Sequence, residues 1–182
     1  MGVEETQQLP YRIDQHGVVY RDRNQSINRM VANFEGFAKE YFVSDYGERA
    51  AVIVVRGSDV LLSRQYRLLI NGLSHEIPGG RIDQQEAAHE AAVRECVEET
   101  GVRCTNLRPL LNFHPSIDTL KNYTSIFWTD ESEMVDQQPG RCVWVSLEQC
   151  LKMIIDQQIV DSLSIIALLA YQQLRIGSAV RE

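Results

Sequence analysis

The chain of 182 residues is 44% hydrophobic, which is enough apolar material for one substantial core with a small accessory element beside it. Its 25 acidic and 18 basic side chains leave a formal charge of −7. That excludes nucleic acid as the main partner, because sequence-independent binding to a phosphate polymer needs a basic surface that displaces counterions.

No apolar run approaches the roughly 20 residues that span a bilayer. The most apolar stretch, Leu163 to Leu174, is broken by Ser164 and Gln172, so no membrane partner is expected. Cys96, Cys104, Cys142 and Cys150 form no C-x-x-C pair and no secretory leader is apparent, so reduced thiols in a cytoplasmic protein are the expectation.

Residues 1 to 9 are polar. Tyr11 to Asp14 and Val18 to Arg23 then flank Gln15-His16-Gly17, a pattern that predicts a hairpin. Together with the tail, this ribbon forms an accessory element over residues 1–45, and residues 46–182 form the main domain. Phe37 to Val43, Ala50 to Arg56 and Val60 to Gln65 are apolar or alternating runs separated by Asp-Tyr-Gly and Gly-Ser-Asp turn signals. They read as consecutive strands, with the core beginning among them. Gln85 to Thr100 lacks Gly and Pro and is rich in Ala and Glu, which predicts a helix stopped by Gly101. Strands follow at Leu107 to Phe113, Tyr123 to Thr129 and Arg141 to Val145. Ser146-Leu147-Glu148-Gln149 resembles a capping box opening a helix to Asp156, and a last helix runs from Ser162 to Arg175. Strands outnumber helices in the middle, so the fold class is α/β, a mixed sheet flanked by helices.

On a helix advancing roughly 100° per residue, Glu95, Glu98 and Glu99 share one face, while Val93, Cys96 and Val97 point largely the other way. Like charges at this spacing repel, so the face is either solvated or holds something cationic, and hard carboxylate oxygens suit Mg²⁺ or Mn²⁺. A bare E-x-x-E-E more often marks a solvated face than a metal site. The frame around it changes the reading. From Gly80 to Val102 the chain resembles the Nudix box, G-x5-E-x7-R-E-U-x-E-E-x-G-U, at every fixed position. Cys96 stands where an aliphatic residue is usual, and a buried cysteine behaves as a small hydrophobe.

The resemblance implies a Nudix α/β/α sandwich and a metal-dependent attack of water on a phosphorus of a nucleoside diphosphate linked to another group. It implies that Glu95, Glu98 and Glu99 bind Mg²⁺, with Mn²⁺ a possible substitute, helped by the Gly79 carbonyl. Glu86 and Arg94 would hold loop and helix in register, Arg94 thereby counting with the catalytic set, and Gly80 and Gly101 are structural.

Further resemblance extends to the branch that hydrolyses ADP-ribose and nucleoside diphosphate sugars. Ser63-Arg64-Gln65-Tyr66-Arg67 followed by Glu76-Ile77-Pro78-Gly79-Gly80 is similar to that branch's approach to the box, and Phe113-His114-Pro115 lies near its usual proline position. On this basis Arg67, Arg64 and Glu76 are substrate-binding candidates. The loop Thr129 to Gly140 offers Glu133, ahead of Glu131 and Asp136, as a water-activating base, with a box glutamate as the alternative. The resemblance also implies a homodimer through the N-terminal ribbon. Coenzyme A, a dinucleoside polyphosphate or an oxidised nucleoside triphosphate remain alternative substrates, and a non-catalytic nucleotide-sugar sensor is the other class. His89, His114, Trp128 and Trp144 read as surface or packing residues.

Overall fold

The computed structural model describes residues 9–136 and 140–179. In chain order the elements are β1 (Arg12–Arg21), β2 (Ser26–Phe34), β3 (Phe37–Asp45), β4 (Arg49–Arg56), β5 (Asp59–Arg67), a short 3₁₀ turn (Leu68–Ile70), β6 (Gly72–Glu76) and β7 (Gly79–Arg81). They continue with α1 (Ala88–Thr100), β8 (Val102–Thr105), β9 (Arg108–Phe113), β10 (Leu120–Lys121), β11 (Thr124–Thr129), β12 (Glu131–Met134), β13 (Cys142–Ser146), α2 (Leu147–Ile155) and α3 (Ser162–Ala179). The chain divides into two compact units, one comprising the residues up to Gly47 with Ser116–Asn122, the other Glu48–Pro115 with the residues from Tyr123 onward.

The first unit is a four-stranded sheet in the order β1-β2-β3-β10. The hairpin expected around Gln15-His16-Gly17 is not there. β1 runs straight through those residues and pairs with β2, and the register slips between Gln15 and Gly17 and again between Val18 and Tyr20. Gly17 therefore marks a bulge rather than a turn. The turn lies at Asp22, whose Oδ1 accepts the backbone N–H groups of Asn24 (2.7 Å) and Gln25 (2.9 Å), a local bond that Asp makes readily. β3 belongs to this ribbon, within residues 1–45, and pairs with β2 along its whole length.

The second unit centres on β4, where Ala50 to Val54 are all at 0% exposure. A strand covered on both faces loses the polar alternation of a half-exposed one, which is why Ala50-Ala51-Val52-Ile53-Val54 reads as an unbroken apolar run. Its alternate residues serve two separate cores. Ala51, Ile53 and Val55 pack with Leu147, Cys150 and Met153 of α2 and with Ala167, Leu168 and Tyr171 of α3. Ala50, Val52 and Val54 pack with Ala91, Ala92 and Cys96 of α1. Helices on both faces of one sheet make an α/β/α sandwich. The sheet order is β13-β5-β4-β11-β9, with β6 on β5 and β7 on β4, and β11 is parallel to β4 among otherwise antiparallel neighbours, so the sheet is mixed. Among the described residues no helix is long and apolar enough to cross a membrane.

One buried hydroxyl connects α3 to the segment leading into the glycines. Ser164 Oγ accepts the Ile77 N–H at 3.0 Å and donates to Asp161 Oδ2 at 2.8 Å, and Ser164 is fully buried. Removing this oxygen leaves the Ile77 N–H without its acceptor. Ser164→Ala is expected to lower the free energy of unfolding by about 1–3 kcal/mol, measured by urea denaturation. An unchanged midpoint would show that the contact contributes nothing.

Candidate active site

Helix α1 begins three residues later than its composition suggests. Gln85 has a φ of +67°, outside the helical region, because residues 83 to 86 form a tight turn in which the Glu86 N–H donates to the Asp83 carbonyl and the Asp83 N–H donates to Glu86 Oε2. Ala87 has no side chain with which to cap, and the carboxylate of Glu90 supplies the bond instead, accepting the Ala87 N–H at 3.0 Å. At the other end Gly101 takes a φ of +74° and donates to the Val97 carbonyl, closing the helix. Its own carbonyl accepts the N–H groups of Val135 and Asp136, so the strand following Thr129 is fastened to the end of α1.

Arg94 is the hub of the motif. Its Nε and Nη2 donate to both oxygens of Glu86 at 2.8 and 2.9 Å, Nη2 also reaches the Arg81 carbonyl at 2.8 Å, and Nη1 reaches Glu95 Oε1 at 2.7 Å. The paired guanidinium, together with the Asp83 N–H, holds the Glu86 carboxyl down at about pH 2, and the carboxylates raise the pKa of Arg94 in turn. The guanidinium thus fixes the loop before α1 against the helix, the role expected of Arg94 and Glu86.

Beside this hub, Glu95 and Glu99 lie against two consecutive glycines. The Gly79 N–H donates to Glu99 Oε2 at 3.2 Å, and a Cβ at Gly80 would overlap the carboxylate of Glu95. Burial pushes the Glu99 pKa up to about 7. Hydrogen bonds from Gln65 and Gly79 pull the other way, while the charges of Glu95 and Glu76 add to the rise.

Arg67 forms a two-pronged ion pair with Glu76, its Nε at 2.8 Å from Oε1 and its Nη2 on Oε2. Burial raises the Glu76 pKa, but the Arg67 pair, a hydrogen bond with Ser74 and the charge of Arg49 outweigh it, and the carboxyl lies below its usual range. Glu76 therefore anchors Arg67, whose side chain is 43% exposed and is the substrate-binding candidate of the two.

The structure separates other residues that the sequence grouped. Among the described residues no three His, Cys, Asp or Glu side chains stand together as a ready-made ligand cluster. Glu98, expected to converge with Glu95 and Glu99, is 58% exposed and touches Arg94 at 3.4 Å. The Arg94 Nη1 that holds Glu95 at 2.7 Å is the same atom that contacts Glu98, so the guanidinium stands between the two carboxylates. Strand alternation puts Arg64 on the face opposite Gln65 and Arg67, across the ladder from His75. The residues expected as a loop from Thr129 include a strand, β12, paired with β8. There Glu133 is 67% exposed and lies 3.8 Å from Arg103, and Glu131 accepts from Asn106 at 2.6 Å. Residues 137–139 of that loop lie outside the described residues. The sequence reading missed Gln65, although it forms part of the Gln65-Tyr66-Arg67 signal, and Arg49, for which no local pattern stood out.

The donor set still suits a hard divalent cation. Glu95 and Glu99 present oxygens at the Gly79-Gly80 backbone, Gly80 leaves room that a side chain would fill, and Glu99 carries a buried carboxyl facing two other acids.

The NUDIX domain model matches residues 46–162. The CMP-5'-(N-acetyl-N-hydroxy-3-aminopropyl)phosphonate hydrolase of Streptomyces rubellomurinus is 30% identical over 129 residues, covering 66% of this chain and 62% of that protein, so this chain spans less than two thirds of it. The methanol dehydrogenase activator of Bacillus methanolicus is 27% identical, with 79% and 80% covered, and the ADP-ribose pyrophosphatase of Bacillus subtilis is 23% identical, with 76% and 78% covered. Among solved structures, an ADP compounds hydrolase superposes with a TM-score of 0.76 over 94% of this chain and 95% of that one at 18% identity, a likeness of fold.

The Glu99 carboxyl carries a pH signature. An unfolded carboxyl titrates near 4.5 and the folded one near 7, so between those values the folded protein holds more protons and stability falls as pH rises. In metal-free protein Glu99→Gln is expected to match the parent near pH 4. At pH 8 it should exceed the parent by on the order of 2–3 kcal/mol, read from urea unfolding across the range. A parent–variant difference that does not grow with pH would contradict the burial cost.

Proposed function

The chain belongs to the Nudix family, and from that premise we propose that it hydrolyses the diphosphate bond of nucleoside diphosphate sugars of the ADP-ribose type, yielding a nucleoside monophosphate and a sugar phosphate, with Mg²⁺ as its cofactor. The observation that carries this reading is the connection of Arg67 to the box. Gln65, two residues before Arg67 on the same face of β5, hydrogen-bonds Glu99, and Glu99 in turn holds the Gly79 N–H. A half-exposed guanidinium on the same strand face as a carboxylate site suits a substrate whose phosphate oxygens need a forked donor beside a cation.

Glu95, Glu99 and the Gly79 carbonyl would hold the cation, with Glu98 completing the set. Held there, Mg²⁺, or Mn²⁺ in its place, would supply charge neutralisation of the diphosphate oxygens and a lowered pKa for the attacking water. Arg67, braced by Glu76, orients a phosphate, and Arg94 keeps Glu86, Glu95 and the Arg81 carbonyl in register. The proton acceptor is Glu98. It is the most exposed box carboxylate, it is held by one long contact, and a base must be able to approach the water within about 3 Å. Glu133 is as exposed and as loosely held, 3.8 Å from Arg103, but it stands on β12 rather than on the helix that carries Glu95 and Glu99.

With Mg²⁺, hydrolysis is expected to be fastest on ADP-ribose or another nucleotide sugar within a panel that includes ADP-glucose, GDP-mannose, UDP-glucose, a CMP-linked phosphonate, coenzyme A, diadenosine tetraphosphate and 8-oxo-dGTP, and to stop on chelation. Preference for a triphosphate or coenzyme A overturns the sugar assignment. Glu98→Gln should lower kcat by about 10²-fold or more, and Glu133→Gln by less than about threefold. The reverse order would move the base to β12.

A homodimer through the ribbon is part of the same proposal. Tyr11, Ile13, Val19, Tyr20 and Phe42 of the ribbon are exposed, an apolar surface of the kind that subunit contacts cover. Sedimentation at micromolar concentration should give about twice the 20.8 kDa chain mass. A monomer across the concentration range counts against it.

A further inference from the structure

Arg49 opens β4 and has no place in the motif, yet its side chain reaches the motif's backbone. The ladder fixes its position closely, because its N–H donates to the Tyr123 carbonyl at 2.8 Å and its register partners are Arg81 in β7 and Thr124 in β11. From there Nη2 donates to the Gly79 carbonyl at 3.4 Å, the oxygen assigned above to the cation. Its charge also reaches Glu76, the acid that braces Arg67. Its Nε is buried and has no hydrogen-bond partner. Buried guanidinium donors are nearly always paired, so a donor left over at this point is a place for an acceptor that the chain itself does not supply.

We infer that Arg49 is a positioning residue that acts as a resident cation at the Gly79 carbonyl, keeping divalent-metal affinity low in the free protein and raising it when the substrate's diphosphate arrives. The inference rests on the diphosphate reading above. Two cations on one carbonyl oxygen repel each other, so a guanidinium beside Gly79 opposes metal entry. A diphosphate carries the charge to satisfy both, and its oxygens would draw the Arg49 guanidinium off the Gly79 carbonyl. Metal and substrate then each strengthen the binding of the other by the same factor. A residue that merely braced the strand would do neither.

The test is Mn²⁺ binding to the full chain, followed by electron paramagnetic resonance, with and without the nonhydrolysable analogue α,β-methylene-ADP. Arg49→Gln is expected to bind Mn²⁺ alone about five- to tenfold more tightly than the parent, and to lose most of the tightening that the analogue produces in the parent. Arg49→Lys, which keeps the charge without the fork, should retain the parent's weak affinity for Mn²⁺ alone and show reduced coupling. Arg49→Gln binding Mn²⁺ no more tightly than the parent, or keeping full coupling, overturns the inference. So does a parallel loss of metal affinity and urea stability, which is the outcome of a structural role. A parent that binds no Mn²⁺ under either condition overturns the metal reading of the site itself, and this inference with it.

Discussion

Carboxylates crowd one end of α1, and the folded arrangement depends on a single guanidinium to hold them. Arg94 bonds both oxygens of Glu86, one of Glu95 and the Arg81 carbonyl. The geometry is specific to arginine, because a planar fork can serve two carboxylates and a carbonyl at once, whereas an ammonium is a point charge with freely rotating donors. Glu86 is bonded at both oxygens, Glu95 is held close to Gly80, and Glu98 shares with Glu95 the guanidinium nitrogen between them. Glu99 faces inward, bonded to the neutral Gln65 side chain and the Gly79 N–H, and it is the carboxyl that burial pushes toward neutrality.

A second chain of contacts joins that carboxyl to the sheet. Gln65 on β5 bonds Glu99, Glu99 bonds the Gly79 N–H, Arg49 bonds the Gly79 carbonyl, and Arg67 bonds Glu76 three residues earlier. Ser164, from α3, holds Ile77 between them. The short segment from Glu76 to Gly80 is therefore gripped from β4, β5, α1 and α3. It sits on an architecture whose central strand is buried on both faces, so the elements that supply these grips are tied to one rigid sheet.

Much of this was legible in the linear chain, and the exceptions have physical causes. The box was readable because Gly80, Glu86, Arg94, Glu95, Glu98, Glu99 and Gly101 recur at fixed spacing, and β4 because five consecutive apolar residues leave little alternative. The ribbon was misread at Gln15-His16-Gly17, since glycine serves a bulge as well as a turn and the competing signal, Asp22 capping two N–H groups, is a side-chain bond with no periodicity. β8 and β12 were missed because four-residue strands carry almost no alternation to count. Helical geometry puts the three glutamates on a shared face but does not specify where flexible side chains settle among charges. Arg49 was invisible because its importance comes from β4 lying beside β7, a pairing between residues thirty positions apart.

The fit of Glu95 against Gly80 also governs what insertions and deletions the segment can absorb. One residue added within the first two turns of α1 rotates everything after it by about 100°, which turns the Glu95 carboxylate away from the glycine and carries Arg94 away from Glu86. The turn before the helix offers no slack, because Asp83 and Glu86 close it with bonds to each other, and Gly101 at the far end is docked on Val135 and Asp136. From Gly80 to Gly101 the number of residues is therefore as much a part of the site as their identity. A change of length there would be felt at both ends at once.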